Sequence, residues 1–220
     1  MPNKEQKIGV FGGTFDPVHE GHVGIADQVL SKGIVDQVLF VPALNPPHKD
    51  TAQASYVHRV AMLEAALSGR DKMAVSTVER HREGPCYTLH TLEALQRQYP
   101  HARLVFLMGA DSLLDLPKWY RFAKILNHND LLVVSRPGIK EQQCHQAILA
   151  LPGRYAICDH KDELAIYTGE QGQCIYLFAP DRSWPVSSTS IRQQIASSHD
   201  PKELHGDVLA YIHTHHLYGA

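Results

Sequence analysis

The stretch KIGVFGGTFDPVHEGH, residues 7–22, decides the fold class of this chain. Its apolar run from Lys7 to Phe11 predicts a buried strand, and the pair Gly12 and Gly13 predicts a tight turn directly after it. Beyond the turn, apolar residues recur at positions 23, 25, 26, 29 and 30, which is the spacing of a helix with one buried face. The stretch therefore predicts a strand, a polar turn and a helix in succession.

The same alternation continues along the chain. It predicts strands over 37–41, 73–78, 103–108, 131–135 and 175–178, and helices over 56–67 and 88–99. Such alternation is typical of an α/β fold, in which a Rossmann-like, doubly wound parallel sheet carries helices on both faces. Ligands of these sheets bind beyond the carboxyl ends of the strands, so functional residues are expected in the turns there. The least decided region, 137–173, is predicted to hold a helix over 141–151 and then loops or a short strand near 155–158.

Composition narrows the class of protein. No Pro-, Gly- or Ser-rich linker divides the 220 residues, so a single domain is predicted over 1–220, with a C-terminal helical part at about 187–220. The 21 Lys and Arg residues nearly balance the 23 Asp and Glu residues, which argues against broad binding of nucleic acid or of a membrane surface. No apolar run approaches the roughly 20 residues of a membrane span, and the polar start predicts no secretory signal. The four cysteines form no CxxC pair, which favours a reducing cytoplasm over a disulfide framework.

The turn after the first strand carries the densest chemistry in the sequence. Its two glycines let backbone N–H groups approach an anion closely, and His19 and His22 are spaced to share one side of the first turn of a helix. A polyphosphate would meet amide donors, imidazole donors and the positive end of a helix dipole there. The glycine spacing excludes the dinucleotide fingerprint GxGxxG, and no GKS or GKT completes a P-loop. A zinc site lacks its third and fourth ligands, and a tight turn with two incidental histidines stays open.

These residues also carry a resemblance. The motifs GGTFDP (12–17) and HEGH (19–22) resemble the signature of the HxGH nucleotidyltransferase superfamily, and the whole chain resembles bacterial nicotinate-nucleotide adenylyltransferases. The HxGH motif alone is shared with pantetheine-phosphate adenylyltransferases, several cytidylyltransferases and class I aminoacyl-tRNA synthetases. Further matching blocks, which make the resemblance more specific, are VPALNPPHK (41–49), GPCYT (84–88), MGAD (108–111), LPKWY (116–120), SRPG (135–138) and SSTSIR (187–192), with a similar final helix near 208–218.

The resemblance implies a three-layer α/β/α nucleotidyltransferase fold and a reaction in which ATP and nicotinate mononucleotide form deamido-NAD and pyrophosphate. The residues that it makes catalytic are His19, His22 and Arg192. Those that it assigns to ATP are Gly12, Gly13, Thr14, Phe15, Gly21, Gly109, Asp111, Ser188, Thr189 and Ile191. Those that it assigns to the mononucleotide are Asn45, His48, Lys49, Thr88, Trp119, Tyr120 and Arg136. Mg²⁺ is expected to bind mainly through the ATP phosphates, without a metal site of the protein itself. The expected partners are ATP and nicotinate mononucleotide, with no nucleic acid and no membrane.

Several of these residues suit their implied roles on physical grounds. Thr88 is a predicted helix N-cap, and the carboxylate of Asp111 at a strand end can accept from ribose hydroxyls. Trp119 offers a flat face for a pyridine ring, although packing in the core is its commoner use. Arg136 closes a strand and could bind a phosphate or stabilise its loop. Arg192 falls within the first turns of a helix capped by hydroxyl residues, where an anion would be favoured.

The sequence leaves alternative functions open. The acceptor could be nicotinamide mononucleotide or phosphopantetheine, or the chain could sense a nucleotide without turning it over. A zinc hydrolase lacks a clustered third ligand. Four C-terminal histidines, His205, His213, His215 and His216, could form a surface metal site or a solvated helix face. Oligomeric state is left open by the sequence.

Overall fold

A computed structural model of the chain describes residues 5–44, 52–136, 138–182 and 184–220. The chain divides into two compact units, one formed by residues 1–12 and 87–182 and the other by residues 13–86 and 183–220. We call them the first and the second unit and describe each by itself. The prediction of a single domain stays a prediction.

The strands and helices follow one another along the chain. The strands are β1 (Lys7–Gly13), β2 (Gln37–Pro42), β3 (Met73–Val75), β4 (Arg103–Gly109), β5 (Asp130–Val134), β6 (Ala156–Lys161), β7 (Leu164–Thr168) and β8 (Cys174–Phe178). The helices are α1 (Glu20–Ser31), α2 (Tyr56–Leu67), α3 (Thr88–Gln98), α4 (Ala110–Asp115), α5 (Phe122–His128), α6 (Glu141–Ala150), α7 (Ser188–Ala196) and α8 (Gly206–Thr214). Among the described residues, none of these helices has the length and apolar character that crossing a bilayer requires.

The first unit is built on a sheet in which β1, β4, β5 and β8 lie side by side and run parallel. Every residue of β5 is buried, which explains why its sequence is a continuous apolar run after Asp130. The Asp130 carboxylate accepts two hydrogen bonds from the Arg103 guanidinium, at 2.6 and 2.7 Å, and one from the backbone N–H of Cys174 at 2.7 Å. This ion pair, in which only the carboxylate is fully buried, joins the amino ends of β4, β5 and β8.

The sheet of the first unit also contains two strands that the sequence did not resolve. β7 pairs antiparallel with β8, and β6 pairs antiparallel with β7, so a hairpin extends the parallel part. The prediction of α6 is confirmed, whereas the loops or short strand expected near 155–158 are this hairpin. All six residues of β6 are exposed, so the strand lacks the apolar alternation by which a strand is recognised. The helices α4 and α5 were also missed, because each is only about two turns long.

The second unit contains the parallel pair β2 and β3, with Val38 opposite Met73, together with α1, α2, α7 and α8. The predicted boundaries of α2 are confirmed, and the Ser55 side chain caps the helix by accepting from the His58 N–H. The α1 helix begins at Glu20, three residues before the first apolar residue of the predicted pattern. Likewise β1 continues through both glycines to Gly13 instead of ending at Phe11.

Helix α1 packs closely against a tryptophan that follows the last strand. The Trp184 indole lies so near Gly24 that a Cβ added there would overlap the ring. A glycine inside a helix ordinarily lowers helix stability by about 1 kcal/mol relative to alanine. Glycine is nevertheless suited to this position because the indole ring leaves no space for a side chain.

We therefore predict that Gly24→Ala lowers the free energy of unfolding by about 1–3 kcal/mol, because overpacking outweighs the gain in helix propensity. The measurement is urea denaturation followed by circular dichroism. The matched control is Gly206→Ala at the start of α8, where an added Cβ meets nothing within 4 Å. That control should be neutral or slightly stabilising, and equal stabilisation by both substitutions would contradict the packing described here.

Candidate active site

The glycine turn at the end of β1 is shaped by the ring of Phe15. The ring is buried, and a Cβ added at Gly13 would lie 2.9 Å from it. Phe15 adopts a φ of +50°, and its ring meets the edge of the His22 imidazole with centroids 5.0 Å apart. Gly12 is exposed, and a Cβ there would only touch Phe106 at 3.6 Å. Gly13 is thus required by the protein's own packing, whereas Gly12 leaves room for a ligand to approach the backbone.

The two histidines of the motif lie together at the N-terminus of α1. His19 is the N-cap residue and His22 occupies the third helical position, with the rings stacked at a centroid distance of 3.7 Å. The expectation that both imidazoles share one side of the first turn is therefore confirmed. The His22 Nδ1 atom accepts from the His19 backbone N–H at 3.3 Å. In the neutral ring this hydrogen bond assigns the proton to Nε2, which makes Nε2 the donor of His22.

The glycine between the histidines has a steric reason. A Cβ added at Gly21 would lie 3.0 Å from Nδ1 of His19 and 3.2 Å from Cβ of Trp184. Any larger residue would push the His19 ring or the tryptophan by a few tenths of an ångström. Packing therefore accounts for the glycine of the HxGH motif.

Helix α7 is anchored to the same turn. The Ser187 hydroxyl caps the helix by accepting from the Ser190 N–H at 3.1 Å, as the hydroxyl-rich sequence predicts. Ser188 Oγ donates to the Pro17 carbonyl at 2.9 Å, and Arg192 Nη1 donates to the Asp16 carbonyl at 2.7 Å. The structure thus brings Arg192 to the residues that immediately precede His19.

Not every part of α7 can meet a ligand. Thr189 is exposed in the first turn, whereas the side chain of Ile191 is fully buried. A contact between Ile191 and ATP would have to be made by the backbone. The Nε atom of Arg192 is buried and has no hydrogen-bond acceptor among the described residues. An anion bound beside this guanidinium would remove the cost of that unsatisfied donor.

Asp16 is buried in the turn, with 4 % of its surface exposed. Its carboxylate accepts from the backbone N–H groups of Gln53 and Ala54 at 2.8 and 3.1 Å and from the Tyr218 hydroxyl at 2.7 Å. The Arg192 Nη1 atom lies 3.9 Å from the same carboxylate. Sequence reasoning noted Asp16 only as part of the motif and gave Tyr218 no role, since neither contact is visible from spacing.

Arg59 was also missed, although the sequence carries a signal for it. The residue sits on the buried stripe of α2, in register with Met62, Leu63 and Ala66, and only 2 % of its surface is exposed. Its Nη1 atom donates to the Thr14 carbonyl at 2.7 Å and its Nε atom to the Ala54 carbonyl at 3.3 Å. Burial lowers the pKa of Arg59, and the nearby Asp16 carboxylate opposes that shift. A charged residue at an apolar helix position indicates a buried partner.

The charges around the turn favour an anion. Two guanidinium groups, Arg59 and Arg192, contact its carbonyls, and Asp16 supplies one opposing carboxylate. The N-terminus of α1 adds its partial positive charge beside the two imidazoles. The helix N-terminus and the imidazoles are groups of the kind that bind a polyphosphate.

In the first unit, predicted ligand-binding residues meet at the carboxyl ends of β4 and β5. Arg136 Nη1 lies 3.8 Å from Asp111 Oδ1, and both side chains are exposed. A Cβ added at Gly109 would overlap Asp111 Oδ1 and come within 3.1 Å of Arg136 Nε. The sequence assigned Asp111 and Gly109 to ATP but Arg136 to the mononucleotide. Because the three are neighbours, a ligand that contacts one of them comes close to the others.

Aromatic side chains cluster elsewhere in the first unit. Tyr120 stacks on Tyr87 with centroids 4.5 Å apart and meets His90 edge-on, whereas Trp119 packs against Phe106 at 6.1 Å. The Trp119 indole is half-buried, so part of it can still contact a ligand. Their roles in binding the mononucleotide stay predictions.

The prediction of Thr88 as the N-cap of α3 is wrong by one residue. The N-cap is Tyr87, and Thr88 is the first residue of the helix. Tyr87 has no capping side chain, so the sequence rule that favours a hydroxyl at the cap chose its neighbour. Three other predicted residues, Asn45, His48 and Lys49, lie outside the described part of the chain.

Two of the histidines near the C-terminus contact other side chains of the second unit. His213 Nε2 lies 3.0 Å from Asp200 Oδ1, and His215 packs against Tyr211 and His58. Within the described ranges no group of three or more His, Cys, Asp or Glu side chains is placed to hold a metal ion.

Comparisons with known proteins agree with this geometry. The chain matches the cytidylyltransferase-like family over residues 10–194. A relative from Gloeobacter violaceus, named "Probable nicotinate-nucleotide adenylyltransferase", is 38% identical over 216 residues, which cover 97% of this chain and 96% of the relative. One of the same name from Bacillus pumilus is 36% identical over 216 residues, covering 97% of this chain and 98% of the relative.

A solved structure has the same fold. It is the Plasmodium falciparum nicotinic acid mononucleotide adenylyltransferase complexed with NaAD, with a TM-score of 0.74 at 18% identity over 97% of this chain and 98% of that one. The predicted α/β nucleotidyltransferase fold is therefore confirmed. The two sequence matches each cover 97% of this chain. The chain belongs to the cytidylyltransferase-like family and, within it, to the nicotinate-nucleotide adenylyltransferases.

Proposed function

We propose that the chain transfers the adenylyl group of ATP to nicotinate mononucleotide, forming deamido-NAD and pyrophosphate for NAD biosynthesis. One observation carries the proposal most directly: two stacked imidazoles at the N-terminus of α1, with Arg192 hydrogen-bonded to the same turn. Family membership adds the nature of the acceptor, because the relatives named above are nicotinate-nucleotide adenylyltransferases.

The reaction needs no nucleophilic side chain. An oxygen of the 5′-phosphate of the mononucleotide attacks the α-phosphorus of ATP, the bond to the β-phosphate breaks, and pyrophosphate leaves. The attacking oxygen is already an anion, so the protein's task is to hold two mutually repelling groups in line and to stabilise the charge that develops.

The residues at the glycine turn suit that task. His22 donates from Nε2 because its Nδ1 atom accepts from the backbone, and Arg192 offers guanidinium N–H groups. Donors that are already oriented cost no reorganisation when charge develops on the α- and β-phosphates. The His19 ring stacks on His22 and thereby limits the rotation of both imidazoles.

We expect Mg²⁺ to arrive with ATP, held mainly by the phosphates and by water. The Asp16 carboxylate already accepts three hydrogen bonds, and the described residues contain no ready cluster of metal ligands. When bound, the ion would neutralise phosphate charge. A reducing compartment such as the cytoplasm suits the exposed thiol of Cys158.

The first test is release of pyrophosphate from ATP and Mg²⁺ in the presence of nicotinate mononucleotide, nicotinamide mononucleotide or phosphopantetheine. We expect the highest kcat/KM with nicotinate mononucleotide. Turnover with phosphopantetheine alone would overturn the proposed acceptor, and no turnover with any acceptor would favour a nucleotide sensor.

We predict that His22→Ala lowers kcat by about 10²–10³-fold, because a preoriented donor to the transition state is lost. The measurement is steady-state pyrophosphate release, with melting temperature recorded in parallel. The exposed His101, at the end of the loop before β4, supplies the matched control, and His101→Ala should leave kcat unchanged. A loss of less than tenfold in folded His22→Ala would remove His22 from the chemistry.

We predict that Trp119→Ala raises KM for nicotinate mononucleotide by about 5- to 150-fold, since stacking of a base on an aromatic ring contributes about 1–3 kcal/mol. KM for ATP should change less than threefold, and Trp119→Phe should restore most of the binding. An increase in KM for ATP instead would show that Trp119 contacts the other nucleotide.

A further inference from the structure

The last residues of the chain form a strained segment next to α8. His216 and Tyr218 both adopt left-handed backbone angles, with φ of +48° and +61°, inside and before a short 3-10 turn over Leu217–Gly219. Each non-glycine residue in this conformation costs about 1–2 kcal/mol. The segment therefore persists because specific contacts hold it.

The contact that stands out is made by the Tyr218 hydroxyl. It donates to Asp16 Oδ1 at 2.7 Å, which ties a residue near the C-terminus to the turn after β1. Burial raises the pKa of Tyr218 above its usual value, and the hydrogen bond to Asp16 raises it further. The phenol thus stays protonated and serves as a permanent donor to the carboxylate.

Asp16 connects the Tyr218 hydroxyl to the turn through both its carboxylate and its backbone carbonyl. Its carboxylate also receives the N–H groups of Gln53 and Ala54, so the three donors fix the orientation of the side chain. Its carbonyl accepts from Arg192 at 2.7 Å, and His19 follows only three residues later. A shift of the Asp16 side chain would therefore move the peptide that anchors Arg192 and leads into α1.

We propose that Tyr218 is a positioning residue for the adenylyl-transfer reaction, acting through Asp16 on Arg192 and the two histidines. The inference rests on the proposed function for its effect on turnover, but not for its effect on the geometry of the turn. Tyr218 contacts no reacting atom, and its hydroxyl sets where the donors to the phosphates lie.

A second tyrosine in the same unit supplies a matched control. Tyr211 in α8 has its hydroxyl 3.0 Å from Nδ1 of His58 in α2, so it too joins the C-terminal region to the rest of the second unit through one side-chain hydrogen bond. This contact does not involve the turn. Tyr211→Phe thus removes a comparable hydrogen bond without touching Asp16.

The experiment compares Tyr218→Phe with Tyr211→Phe, using whichever acceptor the unmodified chain turns over fastest. We expect Tyr218→Phe to lower kcat about tenfold, since displacements of less than 1 Å in catalytic groups have effects of this order. KM for either substrate should change less than threefold, and Tyr211→Phe should keep kcat within twofold of the unmodified chain. A Tyr218→Phe kcat within twofold of the unmodified chain, or an equal loss in Tyr211→Phe, would overturn the proposal.

A double-mutant cycle tests the route through Asp16. In an Asp16→Asn background, Tyr218→Phe should lower kcat less than twofold further, because the link is already broken. A full further tenfold loss would show that Tyr218 acts by another route. All variants are assayed at 15 °C or lower, so that a destabilised variant remains folded during the measurement.

A readout without substrate separates this inference from the proposed function. The readout is the NMR chemical shifts of the protein with isotope-labelled histidine rings. Tyr218→Phe should shift the His19 and His22 signals, whereas Tyr211→Phe should shift those of His58 and His215. Unchanged His19 and His22 signals in Tyr218→Phe would overturn the positioning role even if the chain proved to use another acceptor. Failure of the proposed function alone would appear as absent turnover of nicotinate mononucleotide with these shifts present.

Discussion

The positions of the two imidazoles depend on the hydrogen bonds that hold the turn after β1 in place. Three of its carbonyls, those of Thr14, Asp16 and Pro17, accept from the side chains of Arg59, Arg192 and Ser188. The Asp16 carboxylate is satisfied by donors from two other segments of the second unit. A turn rich in glycine would otherwise sample many conformations, since glycine restricts the backbone least. These contacts give the imidazoles of α1 a defined position before any ligand arrives, which is the condition for electrostatic catalysis.

The placement of the two imidazoles at the turn could be predicted because it follows from periodicity. Residues three apart at the start of a helix share one side, and that spacing predicted that His19 and His22 lie together there. The strand–helix alternation predicted the parallel part of the sheet in the same way. The HxGH signature and the blocks that follow it added the reaction, which neither spacing nor composition specifies.

What the sequence could not predict depends on contacts between distant residues. The hydrogen bond between Asp16 and Tyr218 joins positions 202 residues apart, and no sequence pattern around either residue predicts it. The β6–β7 hairpin is exposed along β6, so it lacks the apolar pattern of a strand. At Tyr87 the cap of α3 departs from the usual preference for hydroxyl and acidic residues. Arg59 differs in this respect, because a charged residue on the apolar stripe of α2 is a signal that the sequence itself carries.

The most direct measurement is a crystal structure of the chain with a non-hydrolysable α,β-methylene analogue of ATP and Mg²⁺. The account predicts phosphate oxygens within about 3.2 Å of the His22 Nε2 atom and of an Arg192 guanidinium nitrogen, with the Asp16–Tyr218 hydrogen bond retained. A triphosphate bound away from the N-terminus of α1, with both imidazoles out of contact with it, would contradict the account.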